Sequence, residues 1–211
     1  MSQVTKLLAR YLALGVLALA GFIDLALTQP VLGAGPQERV QATLQAVSAI
    51  LEDPALQGTD NEQQRKHRVR QIILASFDFR EMARESLGTH WAKLTPSQRD
   101  EFTDLFGSLF ERSYNRLVLR VLGERKAVYG TESIQQDRAI VSTTLVSRQD
   151  AKLPVDYRLV RHREQWAIYD VAIDGVSLAM NYRAQFHKML RTSSYDMLVE
   201  RLKTKLEEES L

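Results

Sequence analysis

Cysteine is absent from all 211 residues. No disulfide can staple this chain, so its core alone has to hold it together. A surplus of one charge is missing too: 28 Lys and Arg stand against 26 Asp and Glu, a formal net +2. A nucleic-acid binder shows a strong basic excess, and this chain has none. There is no GxxxxGK phosphate loop, so nothing marks a nucleotide hydrolase or implies a nucleotide cofactor. The four histidines, His67, His90, His162 and His187, stand far apart and show no HExxH spacing, which leaves a metal site without support. Internal repeats and low-complexity tracts are also lacking.

What is present begins with an apolar leader. Lys6 and Arg10 form a basic start, Tyr11 to Ile23 is an apolar run, and Gly33, Ala34 and Gly35 are small residues suited to cleavage. Val31 and Gly33 fit the positions three and one before a cut. Asp24 interrupts the run before the roughly 20 residues that a membrane span needs. The expectation is an export signal over residues 1–33 that is removed. Its removal takes two basic residues and one acidic residue from a net +2 and leaves +1. No cysteine follows the run, so a lipid-anchored lipoprotein is excluded. Export without disulfides suits a bacterial periplasm.

Residues 36–208 then read as one domain in three zones. Residues 36–122 are helical, with a stripe at Val40, Leu44, Val47 and Leu51, a break at Asp53-Pro54, and a second stripe at Val69, Ile72, Ile73 and Phe77. A third element from Phe79 to Trp91 presents Met82, Ala83 and Leu87. Thr95-Pro96 opens the longest helix, with Thr95 as N-cap and a wide stripe of Phe102, Leu105, Phe106, Leu109, Phe110, Leu117, Val118 and Val121. Residues 126–174 are rich in β-branched and aromatic residues and give four strands: a short one at Val128-Tyr129, then Ala139–Val146, then one alternating Val155, Tyr157 and Leu159 with Asp156 and Arg158, then one starting at Trp166. Short links make this an antiparallel meander. Residues 177–208 close the chain with two helices, the first carrying Leu178, Tyr182, Phe186, Met189 and Leu190, the second Met197, Leu198, Leu202 and Leu206. The fold class is α+β, helices packed on a four-stranded antiparallel sheet.

The segment Trp166–Phe186 joins the last strand to its helix. Strict alternation puts Trp166, Ile168 and Asp170 on one face and Tyr169, Val171 and Ile173 on the other. Asp174-Gly175 breaks the strand, and Ser177 stands at the helix N-cap. Gly175-Val176-Ser177-Leu178-Ala179 has the pattern of a hydrolase nucleophile elbow, but its His partner would be His187, ten positions on and expected in the same helix, so the N-cap reading is preferred. Asp170 is expected to pair with an Arg such as Arg158 or Arg183, or to lie exposed at the sheet edge, rather than act as a base. The basic runs Arg65-Lys66-His67-Arg68 with Arg70, and Arg161-His162-Arg163, read as solvated faces, with docking to anionic headgroups or acidic partners as the functional alternative.

Two motifs together carry a resemblance: FDFREMARESLGTHWAKLTPSQRDEFTDLFGSLFERSY over Phe77–Tyr114, and IYDVAIDGVSLAMNYRAQF ending at Phe186. The chain resembles the MlaC or toluene-tolerance family of periplasmic phospholipid-binding proteins, across the region that follows the leader. The resemblance implies a nuclear-transport-factor-like fold in which a curved sheet and helices enclose an apolar cavity, and a non-enzymatic, monomeric carrier that needs no cofactor. The implied ligand is a diacyl phospholipid shuttled between inner and outer membranes, with a hopanoid as the alternative cargo and a lipid-modifying enzyme as the alternative role. The implied partners are an inner-membrane ABC-transporter assembly and an outer-membrane lipoprotein–porin complex. The residues expected to touch lipid are Met82, Phe106, Phe110, Val141, Leu145, Val155, Tyr157, Leu159, Val171, Ile173, Leu178 and Tyr182.

Overall fold

In the computed structural model, residues 34–208 are described, except for the side chains of residues 114–118 and 120. The leader over residues 1–33 and the places of Leu117 and Val118 in the long helix stripe lie outside the described residues. None of the described helices is long and apolar enough to cross a membrane.

Local chemistry explains where the helices start and stop. Pro36 opens α1 (Pro36–Glu52), which buries Val40, Leu44 and Val47. Asp53 ends it by accepting the Ala55 N–H and capping a 3-10 turn over Pro54–Leu56. After α2 (Glu62–Ser76), Asp78 accepts the Glu81 N–H and caps α3 (Phe79–Leu87). The helix expected to reach Trp91 stops at Leu87, because Gly88 takes φ +56 and the chain tightens into a 3-10 helix over Gly88–Lys93. Thr95 and Gln98 exchange side-chain and backbone hydrogen bonds in a full capping box, which starts α4 (Pro96–Gly123).

The sheet runs β1 (Arg125–Gln135), β2 (Arg138–Ser147), β3 (Lys152–His162), β4 (Gln165–Ile173) and β5 (Val176–Ser177), antiparallel and in sequential order. Two differences from the expected meander have local causes. β1 is eleven residues long rather than a short pair, because it is an edge strand with mostly exposed side chains and a register shift between Tyr129 and Glu132 that hides its alternation. Asp174 and Gly175 both take positive φ, so the strand break is a tight hairpin turn that returns as the two-residue β5, a fifth strand. α5 (Leu178–Leu190) and α6 (Tyr195–Glu208) close the fold. α6 buries Leu198, Val199 and Leu202 and leaves Met197 exposed.

An aromatic group joins α4 to α5. Phe106 and Tyr182 meet edge to face at 5.0 Å, and Phe102 and Phe186 at 5.6 Å. α5 also crosses the end of α3, where the Arg183 guanidinium lies over Gly88. A Cβ at Gly88 would meet Arg183 Nε at 2.7 Å, on a backbone that L side chains rarely adopt. Gly88→Ala is therefore expected to destabilise the fold by roughly 1–3 kcal/mol in urea unfolding, chiefly through backbone strain, because the Arg183 head ends a flexible side chain and can swing aside. Gly58→Ala is the comparison in open space, because Gly58 has φ +86 and nothing within 4 Å of its would-be Cβ. It reports backbone strain alone and is expected to lose roughly 1 kcal/mol. A Gly88→Ala protein as stable as the wild type would sink the strain argument.

Candidate functional site

One face of the sheet is apolar by register. Leu145 pairs with Leu153, Thr143 with Val155, and Val141 with Tyr157. Directly opposed residues share a face, so these side chains form one surface. β4 joins it through a bulge. Leu159 pairs with Ile168 and Arg158 with Asp170, which leaves Tyr169 unpaired. The extra residue shifts the period-2 alternation by one. Ile168, Val171 and Ile173 therefore share a face, and Asp170 turns to the other one. This corrects the strict alternation, which separated Ile168 from Val171 and kept Asp170 beside Ile168.

Between this face and the helices lies an apolar cleft of about 100 Å³. Its sheet wall is Leu145, Leu153, Val155, Tyr157, Ile168, Val171 and Ile173. Its helical wall is Thr43, Leu44 and Val47 of α1, Ile73 of α2, Phe110, Glu111, Val121 and Leu122 of α4, with Phe77 and Leu178. Among the residues expected to touch lipid, Phe110, Leu145, Val155, Tyr157, Val171, Ile173 and Leu178 are brought together here. Met82, Phe106, Val141, Leu159 and Tyr182 are not; they pack in the main core. Face alone did not decide membership. Val141 and Leu159 lie nearer the β1–β2 turn, while Phe106 and Tyr182 are spent on the aromatic contact between α4 and α5. Leu44, Val47 and Ile73 of the wall belong to the stripes read from the sequence and Thr43 does not, and nothing in the spacing says which surface a stripe meets. The space between sheet and helices is a narrow cleft, well below the roughly 300–1,000 Å³ of sites that hold drug-sized ligands.

Few polar groups reach the cleft, and each is occupied. Thr43 Oγ1 donates to the Arg39 carbonyl at 2.9 Å and also contacts Ser76 Oγ at 3.1 Å. Burial pushes the Tyr157 phenol well above its usual range, and a hydrogen bond with Thr143 only partly opposes this. Its side chain stays neutral and suits an apolar wall. Glu111 is buried, and its Oε2 lies 2.8 Å from Arg70 Nε.

The Ser177 segment is a structural clasp. Asp170, 1% exposed, accepts the Ser177 hydroxyl at 2.5 Å and the Ala179 N–H at 2.9 Å. Ser177 Oγ in turn accepts the Met180 N–H at 3.0 Å. Arg158 Nε stands 3.7 Å from Asp170, too far for a hydrogen bond but close enough for attraction. This network fixes the start of α5 against β4 and places Leu178 in the cleft. His187 does not approach Ser177; its ring sits 5.9 Å from that of His90, a pairing that the sequence separation had hidden. Burial, Lys93 and His187 all lower the His90 pKa.

The basic run on α2 is largely engaged within the fold. Arg65 Nη1 donates to the Leu56 carbonyl at 2.5 Å, Lys66 pairs with Glu62 at 2.5 Å, and Arg70 pairs with Glu111. At the other run, Arg161 stacks over Trp166 and His162 lies 2.6 Å from Asp78.

Helices closed on one face of a curled antiparallel sheet, with an apolar cleft between the layers, define an α+β fold of the ligand-binding type. The sequence matches the family described as "MlaC protein" over residues 41–204, and the chain belongs to that family. Its fold is similar to the solved structure of a phospholipid-binding protein from Ralstonia solanacearum in complex with a phospholipid. The two superimpose with a TM-score of 0.71 at 25% identity, over 84% of this chain and 100% of that one.

Proposed function

We propose that this protein is a periplasmic carrier that takes the acyl chains of a diacyl phospholipid into the cleft and shuttles the lipid between the inner and outer membranes. The observation that carries this reading is the cleft itself: apolar on the sheet side and on the helix side, in the fold of a protein solved with a phospholipid bound. A diacyl lipid has on the order of 30 methylene groups, and exposing them to water costs roughly 20 kcal/mol or more at about 0.8 kcal/mol each. A carrier must cover the tails, and release must be driven by comparable burial in a membrane or a partner. At about 100 Å³ the cleft is too small for two tails, so loading requires the sheet and the helical wall to move apart.

The wider setting belongs to the same proposal. Residues 1–33 act as a cleaved export signal, and residues 36–208 form a single lipid-binding domain that works as a monomer. Its partners are an inner-membrane ABC-transporter assembly and an outer-membrane lipoprotein–porin complex. Ser177 and Asp170 serve the fold, so no turnover of lipid is expected.

Native mass spectrometry of the protein purified without detergent tests the proposal, with lipid extraction alongside. The expected result is one intact diacyl phospholipid per chain. A hopanoid adduct would change the cargo and keep the carrier. A bare mass, with no uptake from phospholipid vesicles, would overturn the reading.

A further inference from the structure

One face of α2 leads out of the cleft. Ile73 lines the cleft, and Arg70, one turn earlier, is exposed while its Nε lies 2.8 Å from Glu111. Glu111 is itself in the cleft wall, with its side chain only 8% exposed. The ion pair thus sits where the apolar wall meets water, carboxylate inward and guanidinium outward. A buried carboxylate beside lipid tails is costly unless paired, and an apolar residue would serve tail contact better. What the pair accomplishes is to hold the Arg70 head at the rim in one orientation. The 2.8 Å approach is through Nε, and even a two-point pairing with the carboxylate takes only two of the five guanidinium N–H donors, so Nη donors remain to offer another acceptor. Such donors match the oxygens of a phosphate. Within the same run, Lys66 is neutralised by Glu62 and Arg65 is turned to the Leu56 carbonyl. Arg70 is the cation of this run that pairs with the cleft wall.

We infer that Arg70, oriented by Glu111, contacts the phosphodiester of the bound lipid and selects phosphate-bearing diacyl lipids over neutral lipids with the same tails. This inference rests on the carrier reading above. With the tails between sheet and helices, the phosphate falls at the boundary that the pair occupies. A neutral lipid brings no anion to that point, and the guanidinium gains nothing from it.

The test is a competition. The protein is incubated with vesicles containing phosphatidylglycerol and diacylglycerol of identical acyl composition, re-isolated, and its bound lipids are quantified by mass spectrometry. The wild-type protein is expected to prefer phosphatidylglycerol by roughly tenfold or more, the size of one charge-assisted contact. In R70Q/E111Q, which leaves no unpaired buried charge, the ratio is expected to fall close to one. R70K keeps the charge without the planar fork and is expected to fall in between. It also gives the answer if the double variant does not fold. An undiminished preference in these variants, or a wild-type ratio near one, overturns this inference and leaves the carrier reading intact. Failure of the wild-type protein to take up either lipid overturns both.

Discussion

Val155→Trp is expected to give a folded protein that no longer retains phospholipid. Val155 sits in the middle of β3, between Thr143 of β2 and Ile173 of β4, and its side chain lines the cleft. An indole there extends into the space between sheet and helices. Part of the added volume enters the existing cleft, so the overpacking cost is expected at the lower end of about 1–3 kcal/mol. The effect on lipid is larger. Keeping about four methylenes out of the cleft removes about 3 kcal/mol of burial, or roughly a hundredfold in affinity. Uptake from phospholipid vesicles and the co-purified lipid both measure this. Val176→Trp is the control, since Val176 is 57% exposed on the short β5 and lies outside the cleft wall. It is expected to bind as the wild type does. Stoichiometric lipid on Val155→Trp would show that the tails lie elsewhere.

The second large effect is expected at Asp170. Asp170→Ala removes the acceptor for the Ser177 hydroxyl and the Ala179 N–H, and leaves both donors and a small void in a buried site. Loss of one partner from a buried charged network costs about 3–5 kcal/mol. For a chain of this size that lowers Tm by roughly 10 °C or more. Ser177→Ala removes the cap on the Met180 N–H and one of the two donors to Asp170, and is expected to cost about 1–2 kcal/mol. Thermal melts of the two variants order the effects. An Asp170→Ala protein as stable as the wild type would mean that the carboxylate is not the clasp. Because Leu178 follows Ser177 directly and lines the cleft, the Asp170 variant is also expected to bind lipid more weakly even where it remains folded.

These two sites differ in how far the sequence reveals them. Val155 alternates with Asp156 and sits in a β-branched run, so its burial follows from strand periodicity alone. The Ser177 cap is visible as a hydroxyl residue directly before an apolar helical stripe. Asp170 was assigned to the wrong face. Its error came from Tyr169, where one unpaired residue inverts the phase of the strand, and no residue type in Ile168–Val171 announces a bulge. The partner strand decides it, through the pairing of Leu159 with Ile168 and Arg158 with Asp170. The same limit hid all of β1 but Val128 and Tyr129. Its exposed residues carry no apolar alternation, and it is a strand because it pairs with β2.

Arg70 and Glu111 illustrate the limit at the site itself. They are 41 positions apart on two helices, and each alone reads as a charge on an amphipathic surface. Their meeting at the cleft depends on how α2 crosses α4, which side-chain packing decides. His90 and His187 come together for the same kind of reason, across the contact of α3 and its 3-10 extension with α5. Similarly, α1 shows its apolar stripe plainly, yet that it faces the sheet and closes the cleft is a tertiary fact.

By itself the sequence determined the local elements: the caps at Thr95 and Ser177, the break at Asp53-Pro54, the order of helices, meander and closing helices, and the two motifs that carry the family. Those depend on interactions within a few residues of chain, where spacing and side-chain chemistry are sufficient. The tertiary structure alone decided the phase of β4, the membership of the cleft and the pairing of Arg70 with Glu111. Each of these is a choice of partner between segments distant in the chain, and that choice rests on the packing of many side chains at once rather than on any one residue's preference.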